Sequence, residues 1–138
     1  MSNEVLARVK HFIEEKRVII LDGGFSNQLA TYDANFEKSE LWTSKALLHQ
    51  PELIKRVHRD YLQAGSDIIT TVTYQATFQR LRKFEFSDER IRELFELSIR
   101  LAEQAIDEFV AEHPARSIRP LVAISVGSYG AYRCDGSE

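Results

Sequence analysis

The chain has 138 residues, 18 lysines and arginines against 21 aspartates and glutamates, a net charge of −3, and 43% apolar to 28% charged residues. This is the balance of a globular protein with one sizeable core, and the absence of a concentrated basic face excludes a dedicated nucleic-acid or membrane-surface binder. No apolar run approaches the roughly 20 residues that span a bilayer, and the lone cysteine, Cys134, excludes an internal disulfide or a cysteine-rich zinc site, so a cytoplasmic location is expected.

Residues 4 to 16 set Val5, Leu6, Val9, Phe12 and Ile13 at helical spacing, which predicts an amphipathic helix. Val18-Ile19-Ile20-Leu21 is apolar at successive positions and stops at Asp22-Gly23-Gly24, which predicts a strand buried on both faces, as in parallel sheets. Pro51 opens the next helix, where its missing N–H costs nothing, with Leu53, Ile54, Val57, Tyr61 and Leu62 as the buried stripe. Gly65 is placed to end that helix as a left-handed cap, and Ile68 to Val72 predict a second strand. Ser87 is an N-cap, with Asp88 and Glu89 favourably placed in the first turn of a long helix. Its apolar face runs Ile91, Leu94, Phe95, Ser98, Ile99, Ala102, Ala105, Ile106, Phe109, Val110, and its charges form a solvated face with pairs such as Glu96 and Arg100. His113-Pro114 ends it, and Leu121 to Val126 predict a third strand before a loop holding Gly127.

Strands alternating with helices predict parallel βαβ units. Three strands are few beside the roughly 250 residues of a (β/α)8 barrel or the five to six strands of a doubly wound sheet, so the chain reads as the first part of something larger.

In either architecture ligands bind at the carboxyl ends of the strands. Three loops are expected there: Asp22 to Gln28, Thr71 to Thr77 and Ser125 to Tyr132. Asp22 follows a buried strand directly, and the two glycines after it let a ligand approach the backbone. Its carboxylate either holds an ammonium group or caps the helix starting near Phe25, and position alone supports both. Neither GxGxxG nor GxxxxGK[ST] is present, so the glycine pair has little support as a phosphate cradle. Trp42 is either a lid over a pocket or a core anchor. The four histidines, His11, His49, His58 and His113, lack metal-ligand spacing, and His58 beside a buried stripe reads as a surface or packing residue rather than a catalytic one.

Read together, the loops resemble the homocysteine S-methyltransferase family. The resemblance rests on Ile20-Leu21-Asp22-Gly23-Gly24-Phe25-Ser26-Asn27-Gln28-Leu29, then Leu41-Trp42-Thr43-Ser44-Lys45-Ala46, then Ala64-Gly65-Ser66-Asp67-Ile68-Ile69-Thr70-Thr71 with Thr73-Tyr74-Gln75-Ala76-Thr77, and Ser125-Val126-Gly127-Ser128-Tyr129-Gly130. It covers almost the whole chain in order. It implies about three β/α units from the N-terminal portion of a (β/α)8 TIM barrel, with residues 1–138 forming part of a homocysteine-binding domain. The implied partners are homocysteine and a sulfonium methyl donor, S-methylmethionine or S-adenosylmethionine, with methionine as product.

Position by position, the resemblance makes Asp22 the acid that holds the homocysteine amino group. Gly23 and Gly24 become the close-approach turn, Trp42 an aromatic able to face a sulfonium, Gln75 a pocket wall and Gly127 the third loop's point of approach. Relatives bind zinc through three cysteines of the later barrel, where the metal holds homocysteine as a thiolate. This chain has none of the three, so no cofactor is expected in it and the chain alone is expected to be inactive. The alternative expectation is a non-catalytic truncated relative that self-associates through its open sheet edge.

Overall fold

A computed structural model describes residues 2–16, 18–33, 43–128 and 130. In chain order the elements are α1 (Ser2–Lys16), α2 (Phe25–Ala30), α3 (Thr43–His49), α4 (Pro51–Gln63), β1 (Ile68–Thr70), α5 (Phe78–Arg82), α6 (Asp88–Glu112) and β2 (Leu121–Ala123). β1 and β2 pair in parallel, Ile68 opposite Leu121 and Thr70 opposite Ala123. On the far side of β1, Leu21 makes a single parallel bridge to Ile68. The segment 18–22 therefore lies beside β1 and β1 beside β2, in sequence order.

Both faces of this small sheet are partly covered. Leu62 of α4 and Ala102, Ala105, Ile106 and Phe109 of α6 close over Ile69 and Val122. On the opposite face Phe12 of α1 packs with Leu121, Ile118, Ile19 and Ile68. A larger cluster joins α2, α3, α4, α5 and α6 through Leu29, Leu47, Ile54, Val57, Leu81 and Ile91. Each such fully buried aliphatic side chain contributes about 1.5–3 kcal/mol.

The long helix follows its sequence pattern: Ser87 Oγ accepts the Arg90 N–H at 3.2 Å, and Glu96 and Arg100 stand 3.9 Å apart one turn on. Gly65 ends α4 with φ +107°, a conformation that penalises any side chain. Its N–H reaches Leu62 O while Ser66 N–H reaches Tyr61 O, closing the last turn.

Three expectations are corrected. Val18, Ile20 and Leu21 are not buried on both faces but 65%, 51% and 62% exposed, because the segment has β1 on one side and little packed over it among the described residues. Among the described side chains of α1 only Phe12 is fully buried, whereas Val5, Leu6 and Ile13 face outward; one edge of the helix touches the sheet. The second and third strands are three residues each, shorter than their apolar runs. Side chains end both ladders. After Asp22 N–H bonds Ile68 O, the next parallel rung would carry Thr70 N–H to the Asp22 carbonyl, but that N–H goes to Asp22 Oδ2 at 2.7 Å. After Thr71 N–H bonds Ala123 O, Ser125 N–H goes likewise to Thr71 Oγ1 at 2.9 Å.

Candidate functional site

Where these ladders end, the carboxyl edge of the sheet opens into a concavity of about 390 Å³ whose lining includes Asp22, Gly23, Phe25, Thr70, Gln75 and Ser125. The structure thus brings together Asp22, Gly23 and Gln75 of the residues singled out in the sequence. Gly24 and Gly127 stand outside the lining. Gly24 is the N-cap of α2 and its carbonyl accepts the Tyr61 hydroxyl at 2.9 Å; Gly127 lies two residues beyond Ser125, past the point where the chain is tied to β1. Trp42 and Cys134 lie outside the described residues.

Asp22 does not cap α2, whose N-cap makes no side-chain bond. Both of its carboxylate oxygens turn to the end of β1: Oδ2 accepts Thr70 N–H at 2.7 Å and Oδ1 accepts Thr70 Oγ1–H at 2.8 Å. One residue therefore fixes the acid by its main chain and side chain together, leaving each oxygen further lone pairs for a ligand. A Cβ at Gly23 would stand 3.1 Å from Tyr61 Cε1 and 3.2 Å from its hydroxyl oxygen, so a side chain there would push the Tyr61 ring back by a few tenths of an ångström. Burial first, then the charges of Asp22 and Asp60, push the Tyr61 phenol above its usual pKa, so at neutral pH it is a neutral donor to Gly24.

The opposite wall is tied by hydroxyls. Thr71 and Thr73 are buried, their Oγ1 atoms 3.0 Å apart, and Thr73 Oγ1–H donates to Ser125 O at 2.7 Å. Behind the site Asp60 of α4 receives Gln28 Nε2–H at 2.7 Å and the Tyr32 hydroxyl, which anchors α2 to α4. His58 is fully buried on α4 with its ring centroid 5.1 Å from that of Phe25. It stands outside the lining of the concavity, in the packing role its sequence position indicates.

Thr70 and Tyr61 are the two site-forming residues that sequence reasoning missed. Thr70 sits in a threonine-rich strand end, where threonine is also an ordinary strand residue. Tyr61 reads as part of a core stripe. Among the described residues no group of three His, Cys, Asp or Glu side chains converges as a metal site. These residues therefore do not fit the zinc of the resemblance. No helix among them is long and apolar enough to cross a membrane.

A two-stranded parallel sheet with helices packed on it makes this an α/β protein, with Asp22 and Gly23 at the carboxyl edge of the sheet. Its sequence matches the homocysteine S-methyltransferase family profile over residues 19–138, and the chain belongs to that family. It is 40% identical over 132 residues to homocysteine S-methyltransferase YbgG of Bacillus subtilis (strain 168), covering 94% of this chain and 42% of the relative. It is 45% identical over 123 residues to homocysteine S-methyltransferase 1 of Arabidopsis thaliana, covering 86% and 37%. Among solved structures, the metallated homocysteine methyltransferase MmuM of Escherichia coli superposes with a TM-score of 0.88 at 35% identity, over 94% of this chain and 44% of that one. The chain thus spans less than half the length of these relatives.

Proposed function

We propose that the chain forms about the first three β/α units of a (β/α)8 barrel and supplies the amino-group side of a homocysteine site in a cytoplasmic methyltransferase. The observation that carries this reading is Asp22, a carboxylate fixed through both oxygens at the rim of a concavity near the small end of ligand-pocket size. Asp22 takes the ammonium of homocysteine, Gly23 and Gly24 let the amino-acid end approach, and the Gln75 amide offers a donor and an acceptor from the opposite wall. By the family resemblance Trp42 offers an aromatic face for the sulfonium donor.

In the reaction the homocysteine thiol gives up its proton to solvent, and its sulfur attacks the methyl carbon of S-methylmethionine or S-adenosylmethionine, forming the new carbon–sulfur bond of methionine. The carbon–sulfur bond of the donor breaks, and its electron pair stays on the departing sulfur as a neutral thioether. The leaving group is already cationic, so alignment rather than general-acid assistance is what this part of the site contributes. Zinc belongs to the complete family member, and the chain on its own is inactive.

In the full-length protein, Asp22→Asn keeps one acceptor for Thr70 while removing the charge. Homocysteine affinity by titration calorimetry is expected to fall about 10- to 100-fold, in the range of a lost charged hydrogen bond, with the melting temperature nearly unchanged. Unchanged affinity would refute the reading. A second reading, a non-catalytic chain that acts by association, is favoured by the exposure of Val18, Ile20 and Leu21 along the sheet edge.

A further inference from the structure

We propose that Thr70 is the residue that positions Asp22 for ammonium recognition, so that the side-chain hydroxyl at the end of β1 sets the preference for an amino-acid thiol over a thiol lacking the amine. The inference rests on the reading of Asp22 given above and adds a residue that neither the sequence motifs nor the pattern of apolar runs singles out. A carboxylate at the end of a strand is free to rotate about χ1 and χ2 unless something holds both oxygens. Here the two donors come from one residue: the Thr70 N–H at 2.7 Å from Oδ2 and its Oγ1–H at 2.8 Å from Oδ1. The N–H contact ends the sheet ladder and is open to any residue but proline at position 70. The hydroxyl contact is specific to threonine or serine, and without it Oδ1 is unheld and the carboxylate plane can turn about the remaining bond. Thr70 itself lines the concavity, so the held carboxylate and its holder stand at the same rim.

Thr70 is further fixed from behind. It closes the register of β1 against Ala123 of β2, and the next residue, Thr71, bonds Ala123 O through its N–H and Ser125 N–H through its hydroxyl. The orientation of Asp22 is thus referred to the sheet rather than to the flexible glycine turn that follows it. A site built this way loses little side-chain freedom when the ammonium arrives, which is where preorganisation gains affinity.

The test uses the full-length protein, with homocysteine as substrate and 4-sulfanylbutanoate, the same thiol acid without the amine, as competitive inhibitor. Thr70→Val keeps the shape and the backbone N–H and removes the hydroxyl. KM for homocysteine is expected to rise about tenfold, the effect of one hydrogen bond to a charged group. The effect on kcat is smaller, and the inhibition constant of the amine-free thiol is unmoved. Thr70→Ser, which restores the hydroxyl, is expected to bring KM back towards that of the parent. Equal weakening of both ligands by Thr70→Val, or no recovery with serine in a protein that melts normally, overturns the proposal and leaves Thr70 a structural residue. Asp22→Asn separates the two layers. If it abolishes the preference for the amine while Thr70→Val retains it, the positioning role fails alone; if it leaves the preference intact, the reading of Asp22 fails and the inference with it.

Discussion

His58 lies wholly inside the protein, and neither ring nitrogen has a hydrogen-bond partner among the described residues. Burial pushes its pKa from 6.5 down to about 4, so the imidazole is neutral in the fold. The unfolded chain takes up a proton below about 6.5 and the folded chain does not until about 4. Stability is therefore complete above pH 6.5 and is lost as the pH falls through that window, by about 3 kcal/mol in all. Urea midpoints at pH 7.5 and pH 5 should show about 2 kcal/mol of this loss, and His58→Phe should flatten it. Because an unpaired buried polar group is itself costly, the same substitution should not lower stability at pH 7.5. At this scale the sequence was informative where the relevant residues adjoin, as in Asp22-Gly23-Gly24 after an apolar run. It did not single out Thr70 from its threonine-rich strand end, because the bond that matters joins positions 48 residues apart.

Among the elements, α4 and α6 meet along an apolar seam bordered by charge. Arg59 bonds Glu108 at 2.7 Å and Glu112 at 2.6 Å, and Lys55 bonds Glu108 and Glu52, both at 3.0 Å. Hydrogen bonds from Arg59 first and Lys55 second hold the Glu108 carboxyl below its usual pKa. The pairs are partly open to water, so their contribution is modest and screened by salt. Arg59→Met should cost about 1 kcal/mol by chemical denaturation at low ionic strength, and most of that loss should vanish in high salt; a loss independent of salt would assign it to packing of the Arg59 stem instead. Helix α6 was legible from end to end because its apolar period, N-cap and terminating His-Pro all agree. The short helices α3 and α5 were not, since seven and five residues show too little of a period to register. Strand lengths were over-read because an apolar run marks burial potential, whereas a ladder ends where a side chain takes the next N–H.

For the molecule as a whole, the notable feature is apolar surface along the sheet edge and beyond β2: Val18, Ile20, Leu21, Ile124 and Val126 are all exposed. Exposed apolar side chains beside unpaired strand edges favour association. Light scattering on the 138-residue chain should give a mass that rises with concentration, and Leu21→Lys together with Val126→Lys should suppress the rise; a mass fixed at 15.9 kDa would remove the associating reading. The sequence showed that strands alternate with helices and that the chain resembles part of a larger fold. It did not show which apolar residues would lack cover, because cover depends on segments distant in the chain.

Asp67 gathers the three parallel segments at one point. Its N–H donates to Ile20 O, its carbonyl accepts Leu121 N–H, and its buried carboxylate accepts Ile20 N–H at 3.1 Å and Arg116 at 2.8 Å. The partners stand 47 and 49 residues away on opposite sides in sequence, so the full set closes only after two large loops have closed, each at an entropic cost. Loop-closure cost therefore predicts that the Asp67 junction forms late in assembly, after the rate-limiting step. Asp67→Ala, which strands Arg116 without its counter-charge, should therefore act as a brake released: unfolding accelerates steeply while the refolding limb of the chevron barely moves. The residue that joins the sheet would then govern how long the native state lasts, and not how quickly it is reached.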